Sequence, residues 1–218
     1  MGYDIILFDL DGTLTDSGPG IMNAAAYAME HYGLRADEAL LRRFVGPPLV
    51  DSFRDFCGFS PEKAVEAIGV FREYYMARGV YENSVYPGVT EMLERLRGAG
   101  KGLAVATSKL ESTAVLVLEH FELAGYFELT AGSLENNTRT HKAEVVAFAL
   151  DKLGVPDRSR ALMVGDREHD VIGARENGLD CLGVLYGYGS REELVSAGAV
   201  MTAADPREAA EIIISNRA

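Results

Sequence analysis

From Lys101 onward, short apolar runs alternate with segments of helical period, and that alternation leaves few ways to fold the chain. Residues 103–106, 127–131, 161–164, 181–185 and 199–202 read as strands, and 3–8 supply an earlier one. Between them, residues 112–123, 142–153 and 171–177 read as helices, the second with Val145, Ala149 and Leu153 on one stripe and the third closed by Gly178. Pro206 opens a last helix running to about Ile214. Strand, helix and strand in succession pair parallel through crossovers. The pattern therefore predicts an α/β fold, a doubly wound three-layer parallel sheet with a Rossmann-like core.

Residues 17–83 break this rhythm and read as consecutive helices. Ile21, Ala25, Ala28 and Tyr32 recur at helical spacing before Gly33; residues 39–44 form a short helix stopped by Gly46-Pro47-Pro48, and 49–57 another. Ser60-Pro61 supplies an N-cap and a first-turn proline for a helix carrying Ala64, Ile68, Phe71 and Tyr75. Tyr86-Pro87-Gly88 marks the return to the sheet. The expected division is a core of residues 1–16 and 84–218 and an inserted all-helical domain of 17–83. Placed directly after the first strand, the insert would hang over the carboxyl ends of the strands, where such sheets bind ligands. It reads as a lid, or else as a stabilising appendage.

The 218 residues, 48% of them apolar, suffice for one substantial core plus that insert. No run approaches the roughly 18 apolar residues that a membrane helix needs, and Met1-Gly2-Tyr3-Asp4 has no basic region ahead of an apolar one. Cys57 and Cys181 lack paired spacing and read as buried thiols, so a cytoplasmic location is expected. The net charge of −12 argues against a nucleic-acid face, since Arg42-Arg43 and Arg158-Ser159-Arg160 are too short to track a phosphate backbone. A monomer is the default. An acidic protein that handles an anion must build a local positive well from a metal ion, helix N-termini and a few cations.

Four signals bear on such chemistry. In Phe8-Asp9-Leu10-Asp11-Gly12-Thr13-Leu14 two carboxylates stand two apart at a strand end, where alternation would set them on one face. They need a cation, a shared proton or a turn that separates them; a plain Asp-Gly turn or a calcium-type ligand run is the alternative. Ala106-Thr107-Ser108-Lys109 offers a hydroxyl and amides at a helix start, an anion seat or a simple cap. Lys142 opens a helix where a cation opposes the dipole, unless it is merely solvated. Gly165-Asp166-Arg167-Glu168-His169-Asp170 brings two carboxylates four apart, as ligands or as helix caps.

In order and spacing, Asp9-x-Asp11-Gly12-Thr13, Thr107, Lys142 and Gly165-Asp166-x-x-x-Asp170 resemble the haloacid-dehalogenase superfamily of phosphotransferases over nearly the whole chain. The helical insert resembles its C1 cap. Residues 8–17 and 164–174 are similar to the phosphoglycolate-phosphatase-like group, although that group follows the third-motif lysine with proline and here Ala143 follows Lys142. The resemblance implies a Mg²⁺-dependent phosphatase acting on a small phosphorylated metabolite. Asp9 would be the nucleophile, forming an aspartyl phosphate, and Asp11 the general acid and base. Mg²⁺ would be held by Asp9, the main-chain carbonyl of Asp11 and Asp166, with Asp170 in a water-mediated or supporting place. Thr107, the Ser108 amide and Lys142 would hold phosphate oxygens, and Arg42 or Arg43 of the cap could reach the leaving group or stay solvated.

Within that superfamily a 5′-nucleotidase or pyrophosphatase is the alternative. Asp11 argues against halide chemistry, and Lys63, the one lysine between Asp16 and Pro87, is ill placed for a Schiff base. A phosphomutase of this kind would carry a histidine about where Ile21 stands. A non-catalytic phosphoester-binding protein could keep Lys142 and lose a carboxylate, yet every expected carboxylate is present. His169 reads as a turn or supporting residue, residues 186–190 as a flexible loop, and Tyr74 and Tyr75 as insert core or rim.

Overall fold

The computed structural model describes residues 2–135 and 138–215. The chain divides into two compact units, Met1–Thr15 with Val85–Ala218, and Asp16–Ser84. Along the sequence, β1 (Ile5–Phe8) and β2 (Thr15–Asp16) precede α1 (Gly18–His31), α2 (Glu38–Arg42), α3 (Leu49–Cys57), α4 (Pro61–Ala77) and β3 (Ser84–Val85). Then follow α5 (Val89–Gly98), β4 (Gly102–Leu110), α6 (Glu111–His120), β5 (Leu129–Ser133) and α7 (Lys142–Lys152). The chain continues through β6 (Ala161–Gly165), α8 (Glu168–Glu176), β7 (Asp180–Val184), α9 (Arg191–Ala197), β8 (Met201–Ala203) and α10 (Pro206–Ser215).

Six strands make one sheet in the order β5-β4-β1-β6-β7-β8, with parallel pairing throughout; β2 and β3 form a separate two-stranded sheet. Strand alternation sorts the core. Leu7, Ala104, Ala106, Ala161, Met163 and Cys181 pack with Val145 and Ala149 of α7, Val171 and Ala174 of α8 and Leu194 of α9. Ile6 and Phe8 alternate with Leu7 and so look to the opposite face, where Phe8 meets the edge of Phe127 at 6.3 Å and α5 packs on α10. Helices on both faces make the doubly wound α/β architecture. The chain runs outward from β1 to β4 and β5, then returns to β6 on the other flank of β1. Strand order thus reverses beside β1.

Several boundaries differ from the sequence reading for identifiable reasons. β4 continues past Ala106 to Leu110, with a register shift against β5 over that stretch. α8 starts at Glu168 because the Asp170 carboxylate accepts the Arg167 amide at 3.1 Å and so caps the first turn. α5 is weakly marked in the sequence although Val89, Met92, Leu93 and Leu96 form a buried stripe, since Glu and Arg occupy most of its other positions. Cys57 is half-buried, whereas Cys181 is buried, and both thiols are free.

In the smaller unit, the Ser60 hydroxyl accepts the Lys63 amide at the start of α4, and Gly58 closes α3 in the left-handed region at φ 66°. Phe44, Phe53, Phe56 and Phe59 pack as one aromatic cluster. Tyr75 is buried, while the Tyr74 hydroxyl donates to Glu82 at 2.9 Å.

Leu7 is fully buried at the centre of the sheet. Leu7→Ala is expected to cost about 3 kcal/mol and to lower the melting temperature by roughly 6–12 °C, read by calorimetry.

Candidate active site

The carboxyl ends of β1, β4 and β6 and the start of α7 bring together most of the polar residues singled out in the sequence. Asp9 follows β1 directly, its amide donating to the Val164 carbonyl at 2.9 Å, so the neighbouring strand fixes its height. The chain then turns: the amides of Leu14 and Thr15 donate to the Leu10 carbonyl, and Gly12 takes φ +85°. A Cβ at Gly12 would lie 2.3 Å from Asp166 Oδ2, so only glycine lets this turn press against the β6 carboxylate.

That turn resolves the repulsion between Asp9 and Asp11 by giving each a separate lysine. Lys109 Nζ lies 3.0 and 2.9 Å from the two Asp11 oxygens. Lys142 Nζ lies 2.8 Å from Asp9 Oδ1 and 2.8 Å from Asp170 Oδ1 and donates to the Ala106 carbonyl at 3.1 Å. The solvated alternative for Lys142 fails, since it is only 6% exposed. Thr107, also buried, accepts the Lys109 amide at 3.2 Å through its hydroxyl, and Ser108 lies beside it on β4.

Asp166 is fully buried. Its Oδ1 accepts the Thr13 hydroxyl at 3.2 Å and its Oδ2 the Tyr188 amide at 2.8 Å. The segment 186–190, read from sequence as a flexible loop, is instead a pinned wall of the site. Tyr186 donates its hydroxyl to the Thr13 carbonyl at 3.0 Å, and a Cβ at Gly187 would lie 2.3 Å from the Gly12 carbonyl and 2.4 Å from Asp166 Cβ.

Carboxylate oxygens of Asp9, Asp166 and Asp170 lie within 4.8 Å of one another, and all three residues are buried. Among the described residues Lys142 is the one cation in ionic contact with two of them, Asp9 and Asp170. Asp9 Oδ1 and Asp170 Oδ1, although in those contacts, receive no hydrogen bond of good geometry. Burial raises the Asp9 carboxyl pKa to about 6; the Lys142 charge opposes the rise and the Asp170 charge adds to it. Asp166 is pushed well above the usual carboxylate range by burial and then by Asp170 and Asp9. For Lys142 burial favours the neutral amine, but the Asp170 and Asp9 charges outweigh it and the net shift is upward. Crowded oxygen donors with excess negative charge and unbonded lone pairs fit a small hard cation.

Arg42 and Arg43 belong to the helical unit, where exposed Arg42 pairs with Glu38 at 2.8 Å and Arg43 stands 4.1 Å over the Phe56 ring. His169 sits in the first turn of α8. Sequence reasoning missed Lys109, Thr13 and Tyr188 as site residues. Lys109 was within reach of it, because it stands two after Thr107 and i, i+2 residues of a strand share a side.

Open α/β sheets bind ligands where the strand order reverses, and in this one acidic and cationic groups meet there. Residues 6–184 match the family described as haloacid dehalogenase-like hydrolase, and the chain belongs to that family. It is 44% identical over 193 residues to the 5′-nucleotidase of Pseudomonas aeruginosa, covering 88% of this chain and 87% of that protein. It is 45% identical over 186 residues to the tyrosine-protein kinase PtkA of Mycobacterium tuberculosis, covering 85% of this chain and 63% of that longer protein. The crystal structure of a predicted phosphatase from Clostridium acetobutylicum superposes with a TM-score of 0.96 at 41% identity, covering 99% of this chain and 100% of that one.

Gly187→Ala is expected to destabilise the protein by about 1–3 kcal/mol in chemical denaturation, because backbone must shift to admit the methyl group. Gly125→Ala, where an added Cβ meets nothing within 4 Å, is the control expected to stay within about 0.5 kcal/mol.

Proposed function

We propose that this chain, a hydrolase of phosphate esters, cleaves a small phosphate monoester in two steps through a phosphoryl group carried on Asp9. The observation that supports it is the convergence of the buried carboxylates of Asp9, Asp166 and Asp170, two of which, Asp9 and Asp170, meet the ammonium of Lys142. An anionic nucleophile attacks an anionic phosphate only where positive charge offsets the repulsion, and Lys142 brings one such charge to Asp9. The cation we assign is Mg²⁺, held by Asp9, Asp166 and the Asp11 carbonyl with Asp170 in a supporting place; when bound it would polarise a phosphoryl oxygen and neutralise charge.

In the first step an Asp9 oxygen bonds to phosphorus as the ester P–O bond breaks, and Asp11 hands a proton to the departing alkoxide. In the second, Asp11 takes a proton from the water that attacks the same phosphorus, and inorganic phosphate leaves as the Asp9–phosphorus bond breaks. The Lys109 contact must loosen for Asp11 to serve, since a proton on Asp11 removes the charge that Lys109 holds. The Thr107 hydroxyl, the Ser108 amide and Lys142 are assigned to the equatorial oxygens.

The helical unit is inserted in the chain directly after the turn that carries Asp9 and Asp11, and we assign it the role of cap, with Arg42 and Arg43 as candidate substrate contacts. As for the ester, the similarity to a 5′-nucleotidase favours a 5′-nucleotide, and Ala143 after Lys142 departs from the phosphoglycolate pattern. Phosphoglycolate and pyrophosphate are the competing substrates. Among the described residues no helix is long and apolar enough to cross a membrane. The two free thiols suit a reducing compartment, and we assign a cytoplasmic location and, as the default, a monomer acting on a soluble metabolite.

Purified protein should release phosphate from p-nitrophenyl phosphate in the presence of Mg²⁺. Asp9→Asn should retain the circular dichroism spectrum and lose turnover; hydrolysis near the wild-type rate by that variant rejects the assignment. A panel of 5′-nucleotides, phosphoglycolate, pyrophosphate and sugar phosphates, ranked by kcat/KM, then identifies the ester.

Cation binding carries its own pH signature. Without the cation, Asp9 holds a proton below about pH 6, and binding must displace it. Mg²⁺ affinity is therefore expected to be high at pH 7.5 and to fall about tenfold per pH unit for each proton displaced as pH drops below 6, measured by titration calorimetry.

A further inference from the structure

The loop between β5 and α7 contains a residue that the reading above leaves without a task. Arg139 adopts φ 58°, the left-handed region that strains a non-glycine residue. Such a conformation persists only where its surroundings over-determine it. Here they do. The Arg139 Nε donates to the Gly132 carbonyl at 2.8 Å, its terminal nitrogen pairs with Glu111, and its guanidinium lies 3.8 Å over the Phe148 ring. The Glu111 carboxylate also accepts the Gly132 amide at 3.2 Å.

These contacts join three places that matter to the site. Gly132 is in the end of β5, Glu111 is the first residue of α6, two after Lys109 and four after Thr107, and Arg139 stands three before Lys142. Phe148 is on α7 itself, so the guanidinium is braced against the helix that Lys142 opens. From the other side the Asn177 amide donates to the Ala143 carbonyl at 2.9 Å. The start of α7 is thus fastened on two flanks.

We propose that Arg139, through Glu111, is a positioning residue: it locks the start of α7 to the end of β4, so that Lys142 and Thr107 are held at the spacing that a single phosphoryl group requires. The inference rests on the phosphatase reading and adds to it two residues that touch no reacting atom. A guanidinium suits this place because its planar fork can reach a carbonyl and a carboxylate together while its face stacks on an aromatic ring.

The test compares wild type with Arg139→Met, Arg139→Lys, Glu111→Gln and the Glu111→Gln/Arg139→Met double variant, all with Mg²⁺ present and well below their melting temperatures. The probes are the Kd of inorganic phosphate by calorimetry and kcat and KM for p-nitrophenyl phosphate. Arg139→Met should raise the phosphate Kd and the KM about tenfold or more, with a smaller fall in kcat, since misplacement of a holding group weakens binding first. Arg139→Lys should recover part of the loss. Glu111→Gln alone should raise the phosphate Kd severalfold and should add less than about twofold on top of Arg139→Met, because the two act as a unit.

A lowered melting temperature with the phosphate Kd unchanged, or effects that multiply in the double variant, would overturn the proposal. Should Arg139→Met fail to fold, Arg139→Lys and Glu111→Gln carry the same readout, and an unchanged Kd in both rejects it. Absence of phosphate release and of phosphate binding in the wild type overturns the phosphatase reading itself, an outcome distinct from an active wild type whose variants bind phosphate normally.

Discussion

The ammonium of Lys142, buried between Asp9 and Asp170, is the interaction on which the site depends. Three carboxylates cannot share a dry pocket without cations, and a lysine cannot be buried without anions; each makes the other tolerable. The arrangement is still unbalanced, with three acidic groups to one ammonium, and Asp9 and Asp166 respond by holding their protons more tightly. An imbalance of that kind is a standing demand for a further positive charge. It links the burial of the groups to the cation chemistry assigned to them.

The sheet makes this meeting possible. Asp9 and Asp166 directly follow adjacent parallel strands; with Phe8 opposite Val164, Asp166 stands one residue beyond the position that faces Asp9, so both lie at the same end of the sheet. Thr107 lies on β4 at the other flank of β1, and α7, returning across the sheet, delivers Lys142 at its first turn. Strand order reverses at this point, and the reversal opens the crevice in which carboxyl ends, amides and helix starts face the same ligand. The glycines of the Gly12 turn and the 186–190 loop then let backbone approach Asp166 closely enough to orient it. Rigidity here comes from packing and hydrogen bonds to the main chain, which cost no mobile side chains.

Much of the fold was legible because its signals are local. Apolar runs bounded by glycine, proline and helical stripes mark β1, β6, α7 and α10 within a few residues, and the double winding follows from their alternation. The misses have physical reasons. α5 is a helix whose exposed face is so charged that its four buried positions are easily overlooked. The extension of β4 to Leu110 depends on a register shift with β5 that no local pattern carries. The pinning of residues 186–190 arises from contacts with Gly12 and Thr13, more than 150 residues away in sequence, and with Asp166 at the end of the preceding strand.

The sequence by itself determined the class of the core, the order of its acidic and basic groups and the interruption by a helical segment, since each rests on residue type and short-range spacing. Which lysine meets which carboxylate was settled only by the tertiary structure. Lys109 with Asp11, Lys142 with Asp9 and Asp170, and Arg139 with Glu111 are pairings between residues 28 to 133 positions apart. Coulomb attraction in a buried setting is strong, but it acts through space, and the sheet decides which charges share that space.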